Sequence, residues 1–283
     1  MNFPPVSIRD AVYCKKKLSY NNILELQIIS AIIDFGKIYI KRFKTKKHME
    51  DHEKFSFNKK ITRFIIYILG FIVLAVGLTL NTKSGLGVSP IISIAYAVSQ
   101  ITGINFGNTT LGLYVIFLII EIIIHAVTHR GKAQIIADIL QLPLSIVFTR
   151  FLNLFSAIIP ELNFADDTGF AKEYTIRFLV LIAGLIFTGI GAATSLNMRL
   201  VPNPGDGIVQ AVADVIGKSV GFTKNCIDVC SVAISISLSL ILTGKLYGVG
   251  AGTLVAVVLV GRTIAVYNHF TQKKLLAAAG LSY

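Results

Sequence analysis

A chain of 283 residues that is 54% hydrophobic and 15% charged, with a mean hydropathy of +0.70, is excluded from the ordinary soluble class, where about 25% of residues are charged. Its formal net charge of +12 is unevenly placed: residues 1–60 hold 13 Lys/Arg against 6 Asp/Glu, the remainder 14 against 9. That distribution, without a nucleic-acid-binding motif, points to a membrane-surface anchor and away from nucleic acid.

Residues 1–60 read as a basic cytoplasmic or interfacial segment. Ile23, Leu24, Leu26, Ile28, Ile29, Ile32, Ile33 and Phe35 are interrupted by Glu25 and Asp34 and followed by Lys37, Lys41, Arg42 and Lys44. The mixture is too polar to span and fits a helix lying on an anionic leaflet. It lacks the short apolar run and small-residue cleavage site of a signal peptide. Met49 is an alternative start, which would leave only a short tail before the membrane part.

The membrane part begins at Ile61. Residues 61–80 are the first span. The break Gly85-Leu86-Gly87-Val88-Ser89-Pro90 leads into a short helix over 88–101. Residues 111–127 and 133–152 are the next spans, the latter with Pro143 as an expected kink. A polar connector follows, carrying Glu161, Asp166, Asp167 and Lys172. The pattern then restarts. A span covers 176–196, the break Val201-Pro202-Asn203-Pro204-Gly205-Asp206-Gly207 opens a short helix to 217, and spans cover 227–242 and 248–267. His269, Lys273 and Lys274 read as a basic tail. The expected organisation is therefore a basic segment (1–60), a first membrane repeat (61–153), a connector (154–175), a second repeat (176–269) and a tail (270–283).

The repeat rests on a shift of 114 residues. Arg63-Phe64 falls on Arg177-Phe178, Gly70 on Gly184, Gly77 on Gly191, Pro90 on Pro204, Gly103 on Gly217, Gly107 on Gly221 and Thr109 on Thr223. Ile and Leu recur in any two membrane helices, whereas glycines, prolines and arginines at one fixed shift do not. The expected fold is an all-α polytopic membrane protein of two internal repeats, each with three long helices and one short Pro/Gly-broken helix, six to eight spans in all. If the short helices cross, the repeats are parallel; if they are re-entrant, the repeats are inverted. Loop charge divides equally between the two sides in either topology and leaves the choice open.

Polar groups at membrane depth are costly and mark candidate sites. Asp206, Gln210, Asp214 and Lys218 stand four apart on the second short helix and share one face. Asp206 also sits where a carboxylate caps a helix and meets its dipole. Lys224 and Asp228 are four apart on the next span, and Ser231, Ser235 and Ser239 continue the Asp228 face. Glu121 and His125 are four apart in an aliphatic run; a proton-linked role competes with a satisfied polar pair. Gln134, Asp138 and Gln141 share a face of the fourth helix, and Gly248, Gly250, Gly252 and Thr253 open the last one, suited to close packing or to exposing carbonyls to a cavity. Arg150 and Arg262 have the positions of snorkelling side chains. Cys226 and Cys230 share a helical face but have no His partners and read as small fillers in a packed helix. Nothing indicates a nucleophile triad, a phosphate loop, a metal cluster or a cofactor, and no enzyme is expected.

Gly87-Val88-Ser89-Pro90 and Asn203-Pro204-Gly205-Asp206-Gly207, with Asp228 and Gly250-Ala251-Gly252-Thr253, resemble the bacterial YczE/YyaS/YitT group of integral membrane proteins over about residues 61–268. One departure is that members of the YczE branch often follow the serine–proline with tryptophan, where this chain has Ile91 and Gly205. The resemblance implies a multi-pass protein of the bacterial plasma membrane and no particular substrate.

The expected function is transport of a small polar or ionic solute at a site between the repeats, opened by Pro90 and Pro204. Asp206, Gln210, Asp214 and Asp228 would be the contacts, with Glu121, His125 and Lys224 as coupling groups. The competing reading is a non-transport scaffold or regulatory protein acting through its basic N-terminal region.

Overall fold

The computed structural model describes residues 50–129, 131–164 and 169–281. The expected interfacial segment up to residue 49, the choice of start, and Asp166 and Asp167 lie outside the described residues. The chain divides into two units, Met1–Lys54 and Phe55–Tyr283, and the second carries the fold.

The described residues form helices only: α1 (Glu50–Lys83), a 3-10 turn (Pro90–Ile92), α2 (Ser93–Thr102), α3 (Phe106–Val127), α4 (Lys132–Ile158), α5 (Phe170–Asn197), α6 (Pro204–Ile216), α7 (Val220–Thr243) and α8 (Ala251–Ala278). Six helices are long and apolar enough to cross a membrane: Asn58–Lys83 of α1, Phe106–Val127, Gln134–Ile158, Phe170–Asn197, Val220–Thr243 and Ala251–Ala278. Ile65, Ile123, Leu179, Ile241 and Leu254 are exposed on them, which only a lipid environment makes favourable over so many helices. This is a multi-span helical membrane protein.

Pro90–Thr102 and α6 are different. Each has 13 residues, roughly 20 Å of helix against a hydrocarbon core of ~30 Å. Pro90 and Pro204 sit in the first turn, where a missing N–H costs nothing. Gly103 and Gly217 end the helices at φ 71° and 62°, the left-handed conformation that stops a helix.

The helices are longer than the hydrophobic runs that announce them. α1 starts at Glu50, not Ile61; α3 starts five residues before Leu111; α7 starts at Val220, so Thr223 and Lys224 lie inside it. α4 continues to Ile158 and α5 begins at Phe170, which shortens the connector. α8 runs to Ala278, so His269, Lys273 and Lys274 belong to the last helix and not to a tail. The physical reason is common to all: polar residues at a span's end extend its hydrogen bonding into the interface, where hydropathy has already fallen. Pro143 lies inside α4 without ending it.

α1 and α5 touch backbone to backbone. A Cβ built on Gly77 would lie 2.8 Å from the Gly184 carbonyl, and one on Gly191 would lie 2.8 Å from that of Gly70. The crossing is antiparallel, since Gly70 meets Gly191 and Ser195 while Gly77 meets Gly184 and Thr188. At one end Arg63 donates from Nε to the Met198 carbonyl (2.6 Å) and from Nη2 to that of Arg199 (2.6 Å). At the other, Arg177 donates from Nη1 to the Ser84 carbonyl (3.2 Å). Each arginine thus satisfies carbonyls left over at the C-terminus of the other helix and opposes its dipole.

These contacts fix two ends of the bundle. The basal end holds Arg63, Arg199 and Gly280, which lies against Lys59. The apical end holds Ser84, Arg177 and the Lys83–Glu161 ion pair. α8 starts apically, where Gly252 N–H donates to Leu86 O (2.8 Å) and Val88 N–H to Gly248 O (2.9 Å). It runs parallel to α5 down to the Asn197–Asn268 bond. α3 and α4 are antiparallel, with Gly107 against Asn153 and Glu121 against Gln141.

Within this frame the two short helices are halves. α2 begins beside the middle of α7, where Ser235 Oγ donates to Ser93 O (3.1 Å), and ends three residues before the apical start of α3. α6 begins beside the middle of α3, where Asn203 Nδ2 donates to Tyr114 Oη (3.2 Å), and ends just before the basal start of α7. Their first turns meet: Ile91 Cδ1 is 3.4 Å from a Cβ built on Gly205. Asn81 braces the first break. With its amide oriented by its surroundings, it donates to Gly87 O (2.8 Å) and accepts from Ser89 N–H (3.2 Å). The largest apolar cluster, in which Tyr67, Phe71, Phe148 and Tyr114 touch ring to ring in a row, joins α1, α3 and α4 to the two short helices.

Two measurements check this frame. Gly191→Leu forces α1 from α5 and should destabilise by at least about 2 kcal/mol, read as a lower thermal-unfolding midpoint in detergent, whereas Gly112→Leu, with open space around it, should change little. Single cysteines on a cysteine-free background test the six-span path: those replacing Asn58 and His129 should label from one side and that replacing Glu161 from the other. Eight spans would instead pair Asn58 with Glu161.

Candidate functional site

Two buried polar assemblies lie where the half-helices begin. The first is a face of α7. Thr223, Asp228, Ser231, Ser235 and Ser239 follow helical spacing and are all buried against α2 and α6. Ser231 and Ser235 are engaged by α2: Ser93 Oγ donates to Ser231 O (3.4 Å), and Ser235 Oγ donates to Ser93 O. Thr223 Oγ1, Asp228 Oδ1 and Ser239 Oγ have no hydrogen-bond partner. Buried polar atoms of natural proteins are ordinarily satisfied by protein or ordered water, so three unpartnered atoms among the described residues make this face a candidate site. Lys224 Nζ lies 3.6 Å from Asp228 Oδ2, and Asp206, half-buried in the first turn of α6, is near enough to interact electrostatically with both.

The second assembly joins α3 to α4. His125 Nδ1 and Asp138 Oδ2 are 2.7 Å apart, Gln141 Nε2 donates to Glu121 Oε1 (2.9 Å), and Gln134 Nε2 donates to the other oxygen of Asp138 (3.2 Å). Glu121 is 2% exposed and Asp138 0%. One potential ligand atom from each of Glu121, His125 and Asp138 lies within 4.8 Å of the others. α6 closes the assembly, because Gly207 brings its backbone against the Glu121 carboxylate.

A third feature is a cavity of about 210 Å³ at the apical end, lined by residues 85–88 and 246–250 with Thr82 and Tyr96. Gly250 packs closely on Leu86 and lines this space, Gly248 lines it against Tyr96, and Gly252 packs on Leu86.

The expected site residues separate into groups. Pro90 and Pro204 are buried at the adjoining helix starts, and Asp206, Lys224 and Asp228 gather near them. Gln210 and Asp214 are exposed on α6. The helix cap of α6 is Asn203, whose Oδ1 accepts from Gly205 N–H (3.1 Å), and not Asp206. Glu121 and His125 do not form a pair with each other; their partners come from α4. Arg150 does not snorkel freely, since Nη1 donates to Asn108 Oδ1 (2.7 Å). Cys226 and Cys230 are exposed on the outer face of α7, because the register that buries Asp228 turns them outward.

Asp138, Gln141, Asn203 and Tyr114 complete these assemblies. Helical spacing places Asp138 and Gln141 on one face of α4 and Glu121 and His125 on one face of α3. It does not say that the two faces meet. The short turn after α3 was the available signal, because it makes the two helices antiparallel neighbours.

No solved structure matches this chain. The "Uncharacterized protein YyaS" of Bacillus subtilis (strain 168) is 22% identical over 215 residues, covering 76% of this chain and 96% of that protein. A model described as "Family of unknown function (DUF6198)" matches residues 61–269, from the first span into the last helix and through both half-helices. The chain belongs to this family, and its similarity to YyaS agrees with the resemblance carried by the two glycine–proline breaks.

Proposed function

We propose that this protein is a transporter of a small polar or ionic solute in the bacterial plasma membrane, built from two inverted repeats, with its N-terminus cytoplasmic. The observation that carries the reading is the buried polar face of α7, with its three unpartnered atoms, set beside the meeting point of two half-helix starts. Helix N-termini at mid-membrane present a positive dipole end, an arrangement used to hold solutes in transporters made of repeats. Asp206, Lys224 and Asp228 add charges of both signs.

The repeat reading is supported by reciprocal contacts. Moved by 114 residues, the short helix 90–102 becomes 204–216, and the end of α1 at Lys83 becomes Asn197, the end of α5. Arg63 holds the carbonyls of 198 and 199; its counterpart Arg177 holds that of 84, which corresponds to 198. α2 packs on α7 while α6 packs on α3, so each half-helix lies against a span of the other half. Because α1 and α5 run antiparallel, such repeats are inverted.

Full-length protein in proteoliposomes tests the function. Flux of at least one member of a panel of amino acids, organic acids, and inorganic anions and cations is expected. Asp228→Asn should lower it at least about tenfold, and removal of residues 1–48 should leave it intact. No flux and no solute-dependent stabilisation across the panel would sink transport. Loss of cellular function on removing 1–48, with insertion preserved, would favour the scaffold reading.

A further inference from the structure

We propose that Glu121, His125, Asp138 and the side-chain carbonyl of Gln141 form a binding site for one divalent first-row transition cation, enclosed by α3, α4 and the first turn of α6.

The geometry gives three reasons. The ligand atoms of Glu121, His125 and Asp138 already lie within 4.8 Å of one another, and all three residues are buried. Glu121 Oε2 and Gln141 Oε1 are buried acceptors with no donor. Gln141 is itself only 1% exposed, and both oxygens face Gly207, 2.6 Å and 3.0 Å from the point where its Cβ would stand. With Glu121 ionised, two acceptors turned to the same place cannot satisfy each other, and a cation satisfies both. Any side chain at position 207 would collide with the carboxylate, so glycine there preserves the site.

Charge supplies the fourth reason. Two carboxylates are enclosed at membrane depth, and among the described side chains no lysine or arginine makes an ion pair or hydrogen bond with them. A protonated imidazole would offset one charge; a divalent ion offsets two while leaving His125 neutral to ligate. Burying an uncompensated carboxylate in lipid is costly, so the balance favours the ion.

The donor set selects its class. One imidazole with carboxylate and amide oxygens suits Mn²⁺, Co²⁺ or Zn²⁺, whereas Mg²⁺ and Ca²⁺ prefer all-oxygen shells. Gln134, donating to Asp138, is the outer group that orients a ligand. Among the described residues the cluster occurs once, and at a shift of 114 residues Glu121 and His125 fall on Ser235 and Ser239. It stands independently of the transport reading, because an ion can bind without moving.

The test is binding to full-length protein, free of any polyhistidine tag, stripped with chelator in detergent. One Co²⁺ per chain is expected, with a visible ligand-field spectrum, displaced by Zn²⁺. His125→Gln, Asp138→Asn and Glu121→Gln should each weaken Co²⁺ binding at least about tenfold, while His129→Gln and His269→Gln leave it unchanged. Pulsed EPR of Mn²⁺ on the unaltered protein should show hyperfine coupling to an imidazole nitrogen, a readout that no folding defect of a variant can obscure. Absence of stoichiometric binding, binding unaffected by all three ligand substitutions, Mn²⁺ without nitrogen coupling, or equal stabilisation by Na⁺ or Mg²⁺ would each overturn the assignment.

Discussion

Four glycines let the backbones of α1 and α5 come into contact, and the placement of every other element follows from that contact. Lipid tails are as apolar as leucine, so helices in a membrane gain little by hiding apolar surface from one another; they associate through close van der Waals approach and polar contacts. Gly70 and Gly77 on one helix and Gly184 and Gly191 on the other give the closest approach that chemistry permits. The antiparallel sense is set at the ends, where Arg63 and Arg177 each hold the terminal carbonyls of the opposite helix. A parallel pairing would put both arginines at one end and leave the carbonyls at the other without partners. That sense in turn requires an odd number of crossings between the two helices' starts, which three long spans supply only if the short helix does not cross.

A half-helix in a membrane has a problem that a span lacks: its first turn leaves N–H groups unpaired in the least polar region. The two breaks solve it differently. At the second, Pro204 removes one donor, Asn203 Oδ1 accepts from Gly205 N–H, and Asn203 O takes the N–H groups of Asp206 and Gly207. At the first, Pro90 removes one donor and Asn81, fully buried, takes Ser89 N–H. The apolar segments on either side are interchangeable in kind; Asn81 and Asn203 are not, since the first is an asparagine borrowed from α1 and the second a local cap. Extended backbone at membrane depth is tolerated where protein or a cavity surrounds it, and a cavity lines the first break.

Much of this was legible in the sequence, and the limits are physical. Hydropathy located the spans because burial in lipid demands apolar residues, yet it truncated them where the interface begins, as at Val220 and Ala278. Pro–Gly clusters located both half-helices because only those residues fit a first turn without donors and a left-handed stop. Spacing identified Glu121, His125, Asp228 and the serine face, since each lies within one helix. What spacing could not supply was the pairing of faces across helices. Asp138 and Gln141 were visible as a polar face without a destination, and Asn203 was overlooked beside Asp206, although a side chain at the N-cap is better placed to reach the first free N–H than one two residues on.

The two hairpins of long helices are held in different ways. α3 and α4 pack along their length and are tied near the basal end by Glu121–Gln141 and His125–Asp138. α7 and α8, their counterparts in the repeat reading, barely touch each other. On α7, Ser235 turns to α2 and Ser239 Oγ has no hydrogen-bond partner among the described residues. One hairpin is thus locked by buried polar bonds and the other is held only through its neighbours, α7 by the half-helices and α8 by α5. Among the described residues no side-chain hydrogen bond joins α7 to α8, whereas parting α3 from α4 would leave two buried carboxylates without their partners. The polar assembly on α3 and α4 therefore ties its two helices directly, whereas the unsatisfied face of α7 lies on a helix held through its neighbours.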